Sequence, residues 1–253
     1  MANFLTSSIG KKFIQSVSGA FLILFLLLHG TINFFSVIDS AKGQFGKVAA
    51  DNMPYTHGDG WFQLGCDFMS SPVIKVMVPV LALGVLIHIC WGIWLSLQNY
   101  SKRGGFKRYE VSSKAKNDSW SAKNMFVLGI VILGFLCFHL THFWSKMQLQ
   151  EFMGNEPENP YYLLLATFRN GWVLALYIVW FIAIFLHLNH GFWSMFQTIG
   201  WNNKVWLKRL KVIGAIVAAI IVLLFVCTAL NAYVEAHNVT ASAQYTAPLL
   251  AKF

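Results

Sequence analysis

The chain has 253 residues, of which 57% are hydrophobic, 16% aromatic and only 11% charged, with a formal net charge of +9. This lies well outside the composition of soluble globular domains. The charges also cluster between long uncharged runs, and those runs decide the class.

In chain order the charge-free runs are Phe13 to Ile38, Val76 to Ser101, Asn124 to Ser145, Asn170 to Asn203 and Val212 to Val234. Each exceeds the roughly 20 residues that cross a hydrocarbon core of about 30 Å as a helix. The runs are continuously apolar rather than alternating, which excludes the strands of a membrane barrel. An all-α membrane bundle of five transmembrane helices is predicted, over about 11–37, 72–99, 122–147, 161–199 and 205–236, in one domain of residues 1–239. The first run follows Lys11 and Lys12 as a signal peptide would. It is too long for such a segment and no A-x-A site follows it, so it is predicted to be helix one.

Between the first two runs, residues 39–72 are rich in Gly, Asp and Ser, which predicts a loop with a short interfacial helix around Trp61 to Met69. Residues 146–168 are predicted to form a second loop, broken by Pro157 and Pro160 before helix four. The tail 240–253 carries no functional signal.

Lysine and arginine set the orientation, since cytoplasmic flanks carry the positive excess. With the N-terminus inside, the inner segments hold thirteen basic residues and the outer ones six, and eight of the ten acidic residues fall outside. The N-terminus is therefore expected in the cytoplasm and the C-terminus outside. The net charge follows from membrane borders and calls for no nucleic acid. The inner excess, centred on Lys107 and Arg108, suits a docked partner.

Cys66, Cys90, Cys137 and Cys227 form no C-x-x-C motif, so neither a disulfide framework nor covalently attached haem is indicated, and burial as small hydrophobes is expected. The histidines are more informative. Six lie inside the apolar runs: His29, His88, His139, His142, His187 and His190. An intramembrane imidazole is costly unless it faces the bundle interior and finds a partner. One alone would suit an interhelical hydrogen bond, but four helices each supply at least one. His88 and His187 lie near the middle of their runs, while His29 and His139 lie outward of the middle by roughly 5–7 Å at 1.5 Å per residue. Two level pairs result, the arrangement that axial ligation of two low-spin haems requires.

Gly84, Gly92 and Gly191, four residues from a mid-run histidine, are expected to admit a flat ring. Farther inward, Gln15, Ser16, Ser18, Ser194 and Thr198 are candidates to receive haem propionates, against ordinary interhelical hydrogen bonding. A di-iron centre is disfavoured because the runs hold no acid, and copper or zinc clusters would place the histidines at one level.

The motifs QSVSG (Gln15 to Gly19) ten residues before His29, IHICWG around His88, FHL around His139 and LHLNHGFW around His187 carry a resemblance. Over residues 10–235 the chain resembles the cytochrome b membrane anchor of succinate:quinone oxidoreductases, the succinate dehydrogenases and fumarate reductases, in its single-chain dihaem form. The resemblance implies a bacterial cytoplasmic membrane and two haem b. The proximal haem iron would be held by His88 and His187, the distal by His29 and His139. It also implies an FAD flavoprotein and an iron-sulfur subunit as partners, menaquinone as the electron partner, and dicarboxylate chemistry located on those partner subunits. His142 and His190 are then companions one turn along, expected to hydrogen-bond near a haem edge or the quinone. Where some fumarate reductases of the group carry a glutamate, Phe185 stands here, which puts their proton route in doubt. Asp51, Asp59 and Asp67 are the candidate quinone-site acids. Two other classes remain open: a dihaem anchor of another quinone-linked oxidoreductase, and a haem-free transporter whose histidines relay protons.

Overall fold

A computed structural model describes residues 7–43, 60–102, 120–201 and 203–241. The basic segment with Lys107 and Arg108, the acids Asp51 and Asp59, and the tail from residue 242 lie outside the described residues. Among the described residues there are helices and no strands: α1 (Ser8–Ala41), α2 (Trp61–Met69), α3 (Pro72–Lys102), α4 (Trp120–Lys123), α5 (Met125–His139), α6 (Gln148–Phe152), α7 (Pro160–Phe168), α8 (Gly171–Thr198) and α9 (Lys204–Ala241). Five segments are long and apolar enough to cross a membrane: Ile9–Ala41, Pro72–Ser101, Met125–Trp144, Gly171–Thr198 and Lys204–Asn238. The chain is a multi-pass membrane protein.

Its surface chemistry is that of a protein solvated by lipid. Leu24, Leu83, Leu86 and Leu223 are exposed, whereas Ser36 and Asp39 are wholly buried. Large exposed apolar faces are stable only against another apolar phase. Pro79 stands inside α3, where it would be costly in a soluble helix but is tolerated in a membrane span.

The helices distribute their residues over two compact units. The first comprises the described parts of Met1–Leu26, Met77–Ile132 and Ala183–Ile220. In it small residues let helices approach: a Cβ on Gly84 would lie 2.8 Å from the Phe21 ring, and one on Gly214 3.0 Å from Phe192. The glycines expected to admit a flat ring thus have protein neighbours, Gly84 with Phe21, Gly92 with Gln15 and Gly191 with Met125.

The second unit comprises the described parts of Leu27–Val76, Leu133–Ile182 and Ile221–Phe253. Asp39, near the end of α1, receives the first N–H groups of α2, from Trp61 at 3.0 Å and Phe62 at 2.8 Å, and the Tyr161 hydroxyl at 3.2 Å. A helix N-terminus carries unpaired N–H groups and partial positive charge, so a carboxylate is its natural cap. Ser40 donates to Glu235, tying the end of α1 to α9, and Glu151 accepts from Ser70 at 3.0 Å and pairs with Lys75 at 3.5 Å.

Two expectations about helix boundaries change. Helix four is not continuous over 161–199 but divides into α7 and α8, because Asn170 turns its side-chain oxygen onto the Trp172 N–H at 2.9 Å and starts a new helix. Residues 146–168 are largely helical. Pro160 begins α7 rather than breaking it, in the first-turn position where its missing N–H costs nothing, with Asn159 accepting from Tyr161 and Tyr162.

The cysteines are all free. Cys90 and Cys137 are exposed on their spans rather than buried, since lipid accepts a thiol as readily as a helix neighbour does. Burial, with the Asp67 carboxylate beside it, pushes the Cys66 thiol up to about 12. The thiolate is the reactive form, so Cys66 is expected to resist iodoacetamide in the folded protein at pH 8 and to react only after denaturation. Alkylation in the folded state at the rate of a free thiol would contradict this.

Candidate paired-histidine sites

In the first unit His88 on α3 and His187 on α8 face each other with ring centres 6.2 Å apart. The α1 stretch QSVSG packs against the His88 ring. Ser18 Oγ lies 3.2 Å from His88 Nδ1, and its own proton is directed to the Gln15 carbonyl at 3.1 Å. A hydroxyl whose hydrogen is so used can accept from Nδ1–H, the tautomer that keeps the lone pair of His88 on Nε2. The Gln15 amide nitrogen lies 3.3 Å from both ring nitrogens. Gly19 completes this face, since a Cβ there would come within 3.3 Å of His88 Cε1. His187 is half-buried and its Nδ1 is enclosed with no partner. His190, one turn on, packs edge-on to Trp193 with centres 4.7 Å apart, and Lys211 lies 4.6 Å over the same indole.

In the second unit His29 on α1 and His139 at the end of α5 stand 6.0 Å apart. Aromatic rings surround them: Phe225 is 5.6 Å from His29, and Trp180 is 5.3 Å from His139. Asn33 donates to the His29 carbonyl at 2.8 Å. Directly after His139 the helix takes one π-helical turn, Leu140–Trp144, in which the Ser145 N–H bonds to the Leu140 carbonyl at 2.9 Å. The wider turn changes the angle between residues three apart. His142 thereby stacks at 18° on Tyr177, with ring centres 6.1 Å apart, and its Nδ1 lies 3.2 Å from the Tyr177 hydroxyl. The same hydroxyl lies 3.5 Å from His139 Nδ1.

The remaining expected contacts bond within their own helices. Ser16 donates to the Lys12 carbonyl at 3.0 Å, Ser194 to Gly191 at 3.1 Å and Thr198 to Ser194 at 3.4 Å. Asp67 accepts from Gln63 at 2.9 Å on the exposed side of α2.

Both histidine pairs have the spacing of ligands that share one metal. Two imidazoles bound on opposite sides of an ion at about 2 Å per bond have ring centres about 6.3 Å apart. Among the described residues no three His, Cys, Asp or Glu side chains converge, so a metal held by either pair would take its further ligands from another group, as the four nitrogens of a porphyrin would supply. His187 Nδ1, His190 Nδ1 and the Trp180 indole N–H, beside His139, are buried without partners, so hydrogen-bonding capacity is left over near both pairs.

Sequence reasoning brought forward the four histidines but missed Tyr177, Gly19 and the π turn. Gly19 was within reach as part of QSVSG, whereas Tyr177 sits in an aromatic run that marks it no differently from its neighbours. The chain matches no family model, no curated protein and no solved structure.

Proposed function

We propose that this chain is the membrane-anchor cytochrome b of a succinate:quinone oxidoreductase, carrying electrons between an iron-sulfur subunit and menaquinone through two b haems. The observation that carries the reading is the double pairing of intramembrane histidines, at 6.2 Å and 6.0 Å, each close to the span across one ligated metal. The choice of enzyme rests on the motifs QSVSG, IHICWG, FHL and LHLNHGFW and the resemblance they carry.

His88 and His187 would hold the proximal haem, and His29 and His139 the distal one. A haem held between two imidazoles would supply one-electron transfer and leave no open position for a substrate, which suits a carrier of electrons. The residues of the chain contribute ligands of fixed tautomer and a dry surround. Ser18 would hold the His88 proton on Nδ1, and the rings of Phe225 and Trp180 would help to keep water from the other pair. The charge bias of the sequence supports a cytoplasmic N-terminus, with the iron-sulfur and FAD subunits docked on the basic inner segments in a bacterial cytoplasmic membrane.

The test is haem stoichiometry in the isolated native complex. Pyridine haemochrome analysis is expected to give two b haems per chain, with low-spin bis-histidine spectra and a flavoprotein that oxidises succinate in the same preparation. A haem-free chain would overturn the reading in favour of a transporter. Two haems without a succinate-oxidising flavoprotein would make the chain the anchor of a different quinone-linked enzyme.

A further inference from the structure

We infer that Tyr177 is a positioning residue for His139, and that His142 acts on the iron ligand only through it. The inference rests on the haem-anchor reading above and adds to it a role for a residue that reading leaves unused.

Tyr177 is 2% exposed and lies in α8, far in sequence from both histidines. A buried phenol requires a hydrogen-bond partner. Here its oxygen stands between two imidazole nitrogens, 3.2 Å from His142 Nδ1 and 3.5 Å from His139 Nδ1. A hydroxyl has one proton and two lone pairs, and accepting from both rings would leave the buried phenolic proton without an acceptor, so it donates to one ring and accepts from the other. If it accepts from His142, it must donate to His139 Nδ1, and the His139 ring then keeps its own proton on Nε2 and has no lone pair left for a metal. The opposite direction is self-consistent: His139 Nδ1–H donates to Tyr177, Tyr177 donates to His142 Nδ1, and the lone pair of His139 remains on Nε2.

The π turn makes this chain of bonds possible, because it brings His142 round to Tyr177 while His139 stays opposite His29. The two members of H-x-x-H are thereby given different tasks. A ligand imidazole whose outer N–H is accepted by an oxygen is a stronger electron donor and favours the oxidised metal. The His142 acceptor polarises the phenol and strengthens that effect.

The experiment is a redox titration of the haem-loaded complex followed spectroscopically. Tyr177→Phe keeps the ring against Trp180, Phe168 and Phe181 and removes only the hydroxyl. One of the two midpoint potentials is expected to rise and the other to stay. His142→Phe should raise the same potential by less, and should add nothing in the Tyr177→Phe background. His142→Gln, which can still accept the phenolic proton, should restore the wild-type value. Unmoved potentials, equal shifts of both haems, or additive effects of the two substitutions would overturn the inference. Loss of only one haem in Tyr177→Phe would carry the same assignment, since the ring packing is retained. If that variant loses both haems through misfolding, the comparison of His142→Phe with His142→Gln decides. A wild-type chain without haem removes the earlier reading and this one together, whereas two haems with unchanged potentials remove only this one.

Discussion

On the proposed dihaem reading, replacing His187 with alanine is expected to lower the haem content from two per chain to one, and replacing His139 to do the same for the other site. The reason is geometric. His187 is the ring opposite His88 at 6.2 Å and His139 the ring opposite His29 at 6.0 Å. A haem held without a covalent tether would lose one of its two bonds to the protein with either imidazole. The neighbouring histidines cannot take over. His142 is stacked on Tyr177 and packed 4.1 Å from Phe138, and His190 is set against Trp193. His142→Ala and His190→Ala are therefore expected to keep both haems. Haemochrome assay of the four variants in membranes checks the set. A variant at His142 that loses a haem while the His139 variant keeps both would show that the ligand on that helix is His142.

A second large effect is expected at Asp39, where the consequence is stability rather than cofactor content. The carboxylate is wholly buried and accepts from the Trp61 and Phe62 N–H groups and from Tyr161. Asp39→Ala would take this acceptor from the Trp61 and Phe62 N–H groups, at a cost of about 2–4 kcal/mol. In a chain of this size that lowers the unfolding temperature by roughly 4–16 °C. Asp39→Asn retains one acceptor oxygen but turns an amide toward the remaining donor, and should fall between the two. Gly60 provides an independent check. A Cβ there would lie 2.6 Å from Asp39 Oδ2, so Gly60→Ala should destabilise the native chain and have a much smaller effect in the Asp39→Ala background, because residues in direct contact do not add. Thermal unfolding of detergent-solubilised protein measures all four. An Asp39→Ala protein that melts with the wild type would mean that other groups cap α2.

The helical spans and which histidines stand opposite each other were legible in the sequence, for a reason particular to membranes. Lipid requires every backbone group to be bonded within its own segment, so a charge-free run of sufficient length has one available structure. Each residue then advances a fixed 1.5 Å, and depth can be counted without knowing the neighbours. The counts that put His88 level with His187, and His29 level with His139, match the rings that stand together. Rotation about each helix axis is a different matter. In lipid an apolar span has no preferred wet face, and which side turns inward is decided by packing against other helices. That packing sends Gln15, Ser18 and Gly19 to the His88 ring and places Cys90 and Cys137 outward. It also brings Tyr177 between His139 and His142. The breaks depend on single hydrogen bonds that composition does not announce: the Asn170 side chain that separates α7 from α8, and the Ser145 N–H that reaches back to Leu140. Asp39 could be read from the sequence only as the first charge after an apolar run. Its role as the cap of α2 arises because the fold returns the chain to the end of α1, where a helix start without water must find its acceptor in the protein.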